Sequence, residues 1–180
     1  TTGGSNVAIG RSSLEANTTA SDNTAIGKHA LLANTGADGR NNTAVGSQSM
    51  DANTTGKNNV AVGHDALGAN TTADNNTAVG KSALEANTTG TQQVAVGSLA
   101  LDANTTGSFN TALGYETLGA NTTGTDNTAV GTSALKSNTT GQYNTAVGVA
   151  SLQDNTASNN TAVGYLTLYQ NTTGAFNTAV

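Results

Sequence analysis

Residues 76–92 read NTAVGKSALEANTTGTQ, and close variants of this phrase fill the chain. Successive copies begin 17 residues apart, except for one step of 19 and one of 16 residues. Self-similarity at a fixed short period is typical of a solenoid, in which each repeat forms one coil stacked on the previous coil. The eleven copies of the opening motif, Asn-Thr-Ala-Val-Gly or a close variant, begin at Asn6, Asn23, Asn42, Asn59, Asn76, Gln93, Asn110, Asn127, Asn144, Asn160 and Asn177.

Each coil is expected to contain two short strands. We number the places of the repeat from the opening Asn, so that place 3 is always Ala, place 4 is Val, Ile or Leu, and place 9 is Leu or, once, Met50. The first strand is predicted at places 1–4 and the second at places 7–11. Gly at place 5 and the Asn-Thr-Thr-Gly stretch supply the corners. Helices this short would be marginal, so the sequence predicts an all-β parallel β-solenoid of about ten 17-residue coils.

Both faces of each strand are restricted in sequence. The invariant Ala adjoins the apolar residue of place 4, and neighbouring strand residues point to opposite faces. One face is expected to line a narrow coil interior, and the other needs cover. Because one Val and one Leu per coil make a weak core, the natural cover is another copy of the chain, and we predict a homo-oligomer.

Composition excludes several classes of function. Charged residues make up 9% of the chain, the net charge is −5, and the six Lys and Arg residues form no basic stripe, so we expect no nucleic-acid partner. No apolar run is long enough to cross a membrane, so we expect no membrane insertion of this segment. Asn, Thr and Gly richness alone is typical of disorder, but the fixed period argues against it. Residues 1–180 are therefore interpreted as a single array, a fragment of a longer fibrous protein.

Asn at place 12 recurs in every complete repeat. Identical residues of stacked parallel strands lie about 4.8 Å apart, close enough for side-chain amides to bond along the column. We predict a structural ladder and a rod roughly 48 Å long, with ligand binding by the ladder as the alternative. The ladder residues are Asn17, Asn34, Asn53, Asn70, Asn87, Asn104, Asn121, Asn138, Asn155 and Asn171.

The phrases SNVAIG, NTAIG and NTAVG, each followed by a small residue and Leu, resemble the YadA-like head repeats of trimeric autotransporter adhesins. They are also similar to Asn-Thr-Ala-Val-Gly arrays in phage tail fibres and other chaperone-matured surface fibres. The resemblance implies a left-handed parallel β-roll, a homotrimer, and an extracellular place on a cell or virion surface. The repeat here is longer than that of the adhesin heads, and its extra residues fall in the Asn-Thr-Thr-Gly corner.

The residues suggest no catalytic or metal centre. His29 and His64 lie at different places of coils two apart, without a repeated partner, and metal sites need several converging ligands. No carboxylate pair is compelled to meet, and no Ser-His-acid set can be assembled. We therefore expect no enzyme and no cofactor.

Two surface features could carry binding. Phe109, Tyr143 and Phe176 share place 17 at every second coil, a possible ligand-contact stripe for a host-surface glycan or protein. In the alternative interpretation, these rings cover corner backbone or pack at a seam between chains.

Threonine columns at places 2, 13 and 14 are the second feature, and they resemble the Thr ranks of ice-binding solenoids. In Thr-Ala-Val, however, the residue on the same face as Thr is Val, and Thr88-Thr89 is a pair of neighbours at a corner. The first hypothesis is a rigid structural or adhesive segment of a trimeric surface fibre: an adhesin head or stalk, or a virion tail fibre. The alternative is an ice-binding β-solenoid, which requires a flat exposed Thr array.

Overall fold

A computed structural model describes residues 2–180 of the chain. It contains one sheet of eleven parallel strands, hydrogen-bonded in chain order, and this part of the chain contains no helix. The predicted parallel β-solenoid of about ten coils is confirmed. The strands are β1 Val7–Ile9, β2 Thr24–Ile26, β3 Thr43–Val45, β4 Val60–Val62, β5 Thr77–Val79, β6 Val94–Val96, β7 Thr111–Leu113, β8 Thr128–Val130, β9 Thr145–Val147, β10 Thr161–Val163 and β11 Thr178–Ala179.

The strands pair place by place, so that the alanines of place 3 form one column. Ala78 of β5 lies beside Ala95 of β6, for example, and both are fully buried. The residues on either side of this Ala, at places 2 and 4, point to the opposite face of the sheet, which is the outer surface of the rod. The narrow interior predicted from the invariant Ala is therefore present.

The predicted second strand, at places 7–11, is wrong, because these residues form consecutive turns. Ser82 and Leu84, at places 7 and 9, have φ angles of 55° and 53°. These left-handed residues bend the chain, and the Asn87 N–H closes one turn on the Leu84 carbonyl at 3.1 Å. The segment still bonds between coils, since the Leu84 N–H donates to the Ala100 carbonyl of the next coil at 3.0 Å.

The core is a column of Leu side chains facing the Ala column. Burial of a Leu side chain contributes about 1.5–3 kcal/mol, so one such residue per coil supplies most of the apolar stabilisation. The Leu column therefore belongs to the core, and the place 4 column lies on the outer face. The largest fully buried apolar side chains are Leu31, Met50, Leu67, Leu84, Leu101, Leu118, Leu135 and Leu152.

The glycine of place 5 turns the chain out of the strand. Gly80 has a φ of 137°, and a Cβ added there would lie 2.5 Å from the carbonyl oxygen of Gly97 in the next coil. Both the backbone angle and the close stacking of corners therefore require glycine.

The two irregular repeats change length only at the second corner. In the longer repeat, residues 35–38 form the added loop, and Gly39 takes the structural role of place 15 by accepting a 2.8 Å bond from the Asn34 amide. In the shorter repeat, Ala157 takes that role for Asn155, again at 2.8 Å. The stack of strands continues past both corners.

Candidate functional site

The place 12 asparagines lie inside the solenoid and bond to one another along its axis. Asn104 Nδ2 donates to Asn87 Oδ1 at 3.0 Å, and Asn121 Nδ2 donates to Asn104 Oδ1 at 2.8 Å. Asn171 Nδ2 likewise donates to Asn155 Oδ1 at 2.9 Å. Every ladder residue from Asn34 to Asn155 is fully buried, while Asn17 and Asn171 are partly exposed. The buried amides hold neighbouring coils together and are out of reach of a ligand.

A second column, the asparagines of place 1, closes each coil. Asn42 Nδ2 donates to the Gly56 carbonyl, fourteen residues on, at 2.8 Å, and Asn53 Nδ2 donates to the same oxygen at 3.0 Å. Asn42 Oδ1 accepts the backbone N–H of Asn59 in the next coil at 2.9 Å. One carbonyl and two amides thus join the beginning, middle and end of a coil.

Three positions depart from the regular pattern of the two Asn columns, and the first is Asn34, whose Nδ2 donates to the Gly39 carbonyl and not to Asn17. Gln93 stands where ten copies have Asn, and its Nε2 reaches Asn87 Oδ1 at 3.1 Å. Where the shortened repeat meets the next one, Asn160 Nδ2 donates to Asn155 Oδ1 at 3.1 Å. The place 12 column is interrupted there, and the buried Asn138 Oδ1 has no hydrogen-bond partner within residues 2–180.

The outer face of the sheet carries a Thr column at place 2 and a Val, Ile or Leu column at place 4. Most of these side chains are half-buried, and Val60, Val94 and Leu113 are 36%, 36% and 41% exposed. Because the strands are in register, the apolar column of place 4 runs the whole length of the rod, whereas Val7, Val60 and Val94 interrupt the Thr column of place 2. This outer face is therefore a regular, partly exposed apolar surface.

The other threonines serve the corner. At place 13, the hydroxyls of Thr88 and Thr105 donate to the carbonyl of the equivalent residue in the next coil, each at 3.1 Å. Thr89, at place 14, is exposed on a bend outside the strands. The only strand-borne threonines in residues 2–180 are therefore those of place 2, beside the apolar column.

The predicted ligand-contact stripe lies along one corner of the rod. Phe109, Tyr143 and Phe176 are 54%, 57% and 81% exposed. Their φ angles are 60°, 57° and 60°, in the left-handed region. In a single chain these rings therefore project from the corner and leave most of their surface free.

A shallow groove of about 610 Å³ is a feature that the sequence analysis missed. Gly68 leaves a gap in the place 10 column, and Asp51, Asp65, Glu85 and Asp102 line the groove around it. Burial, with smaller contributions from neighbouring carboxylates, raises the pKa of Asp51 and that of Asp102. Its only sequence signal is a Gly in a column that carries acids in neighbouring coils.

The ion pairs of the chain are scattered along the rod. His64 Nδ1 lies 2.7 Å from Asp65 Oδ2. Lys136 Nζ lies 2.6 Å from Glu116 Oε2, and hydrogen bonds from Lys136 and then Tyr115 lower the pKa of Glu116. Within residues 2–180, no three His, Cys, Asp or Glu residues are grouped so as to hold a metal ion.

Comparison of the chain with protein-family models, with curated proteins and with solved structures gave no match. Among the described residues, no helix has the length and apolar character that crossing a bilayer requires. The candidate site has three parts, which are the outer face of the sheet, the aromatic corner and the acidic groove.

Proposed function

We propose that the chain is a structural and adhesive segment of a homotrimeric surface fibre, an adhesin head or stalk or a virion tail fibre. In this proposal three left-handed β-rolls meet around one axis, and their outer sheet faces form the seam. The observation that carries the proposal is the uninterrupted apolar column at place 4. A regular, half-exposed Val column along a whole rod is typical of an interaction surface, since soluble monomers rarely expose long apolar patches.

The size of the face supports a seam that extends beyond the strands. Three strand residues by about ten coil spacings give roughly 10 Å by 48 Å, or about 500 Å² per chain. A specific interface usually buries about 800 Å² per partner, so flanking side chains have to join. Place 6 supplies them on the far edge, where Tyr115, Val149 and Tyr165 are 49%, 47% and 75% exposed.

The interior supports the role of a rigid rod. Adjacent coils are joined by strand ladders, turn hydrogen bonds and both Asn columns, so bending the rod would break several bonds at once. Such a rod holds surface groups at a fixed spacing and can extend or present a binding surface for a host glycan or protein. The proposal includes no catalytic role, no cofactor, no nucleic-acid partner and no membrane insertion, and it locates the segment outside the cell or on a virion.

Light scattering on a size-exclusion column, applied to Val130→Lys, tests the seam. A lysine at place 4 would place like charges from three chains at one level of the axis, so we expect the variant to dissociate to single chains. Thr123→Lys is the matched control, because that residue is exposed on the corner, away from the seam. Equal masses for the parent chain and Val130→Lys would contradict the proposed seam.

Ice binding is the second candidate, and a specific observation favours it. Place 2 carries Thr on five consecutive in-register strands from Thr111 to Thr178, roughly 4.8 Å apart along the rod and beside the place 4 side chains. Such an array would present methyl and hydroxyl groups to a regular water surface. Thermal hysteresis of the purified chain tests this function, and none at high concentration would eliminate it. If hysteresis is present, Thr128→Lys on the array should reduce it, and Thr123→Lys should not.

A further inference from the structure

We infer that the corner column at place 17 is a binding site for an extended, uncharged, β-1,4-linked glycan chain. From Phe109 onward, aromatic and planar polar side chains alternate coil by coil in this column. The inference rests on the proposed function in one respect, the straight rod that holds the column in register. The members of this glycan stripe are Phe109, Asp126, Tyr143, Asn159 and Phe176.

The three rings are more than half exposed, so their burial contributes too little stability to explain why aromatic residues occupy this place. All five stripe residues have φ between 57° and 62°, a region that Asn and Asp tolerate and that strains aromatic residues. The same place in the amino-terminal half carries Asp, Asn and Gln, such as Asn58 and Asn75. Aromatic residues that accept strain and stay more than half exposed are expected where they contact a partner.

The spacing fits a sugar chain. Rings at every second coil recur at roughly 9.6 Å, twice the strand spacing, a distance comparable with the length of a disaccharide. In an extended β-1,4 chain, alternate sugars present the same face, so each ring of the stripe would meet an equivalent sugar. Aromatic rings bind the C–H faces of sugars by apolar contact and π interactions.

The polar members and the charge of the stripe favour the same ligand. Asp126 and Asn159 lie between successive rings and are exposed. Their carboxylate and amide groups can bond the hydroxyls of the intervening sugars. Residues 137–180 contain one charged side chain, Asp154, so this end of the rod has little to attract a charged polymer.

Co-sedimentation with microcrystalline cellulose and with chitin tests the site, with starch granules as the α-linked comparison. We expect the parent chain to sediment with at least one β-linked polymer and not with starch. Each ring should contribute about a 2- to 10-fold change in affinity. The triple variant Phe109→Asn/Tyr143→Asn/Phe176→Asn should therefore bind at least about tenfold more weakly. Asn already occupies this place elsewhere, so the variant is expected to fold, and circular dichroism checks this.

Tyr169→Asn is the matched control, because Tyr169 is a partly exposed aromatic residue at place 10, outside both the glycan stripe and the proposed seam. It should bind like the parent chain. Failure of the parent chain to sediment with either β-linked polymer, equal sedimentation with starch, or undiminished binding by the triple variant would overturn the inference. Light scattering on the same samples separates the two proposals. A monomer that binds cellulose contradicts only the trimer, and a trimer that binds neither β-linked polymer contradicts only the glycan site.

Discussion

Replacing Gln93 by Asn should stabilise the chain, because it restores a bond pattern that the other coils share. Elsewhere a place 1 amide donates to the place 15 carbonyl of its own coil at 2.8–2.9 Å, as Asn76 does to Gly90. Its oxygen also accepts the backbone N–H of the next place 1 residue. Gln93 Nε2 instead bonds Asn87 Oδ1, and Gln93 Oε1 meets Asn110 Nδ2 at 3.3 Å.

The expected gain follows from the bonds exchanged. The variant would gain the bond to the Gly107 carbonyl and the bond from the Asn110 N–H, and would lose two longer side-chain bonds. A buried hydrogen bond contributes about 0.5–1.5 kcal/mol, and a shorter side chain loses less rotamer entropy on folding. We expect about 1 kcal/mol of added stability, which for a chain of this size raises the melting temperature by about 2–4 °C.

Thermal and urea unfolding, followed by circular dichroism, would measure the effect. Gln142→Asn is the control, since Gln142 lies at the partly exposed place 16 and should change stability by less than about 0.5 kcal/mol. A Gln93→Asn variant no more stable than the parent chain would refute the claim that the place 1 amides close the coils.

Three further predictions concern single residues. Gly80→Ala should cost at least about 2 kcal/mol in urea unfolding, whereas Gly68→Ala should be nearly neutral, since a Cβ there comes no closer than 3.4 Å to its neighbours. Phe109→Asn should raise the free energy of unfolding by about 1 kcal/mol, because Asn adopts the left-handed backbone angle with less strain than Phe. A loss of stability would show instead that the Phe109 ring packs against the rod. Asp51→Asn should stabilise the chain at pH 7 by less than about 1 kcal/mol and have no effect near pH 3. The pKa of Asp51 is raised, so its charged form destabilises the fold above that pKa, and the penalty disappears below its ordinary value of 3.8. A benefit equal at both pH values would contradict this assignment.

The period and the invariant residues were enough to predict the stack, the first strand and the narrow interior. These features depend on the residues that recur at each place of the repeat, because a solenoid makes the same contacts in every coil. The buried Asn column was predicted on the same ground. The second hydrogen-bond partner of this Asn column, the place 15 carbonyl, could not be predicted, because that contact depends on how the coil closes in three dimensions.

The second strand was predicted wrongly because residue type is a poor guide to backbone angle here. Leu normally avoids positive φ, yet Leu84 adopts 53° in order to point inward. The bond to Ala100 of the next coil, the turn bond from Asn87, and burial of the side chain outweigh the local preference. The acidic groove could not be predicted for a related reason. Its lining depends on which columns of side chains lie next to each other around the coil.

Small-angle X-ray scattering of the purified chain would test the central claim, a straight rod of three chains, most directly. The account predicts a rod roughly 48 Å long whose total mass is three times the chain mass of 17.7 kDa. The cross-section should then contain three chains at every level. A rod of the same length with the mass of one chain would contradict the account, and it would leave the outer Thr and Val face without the partner proposed for it.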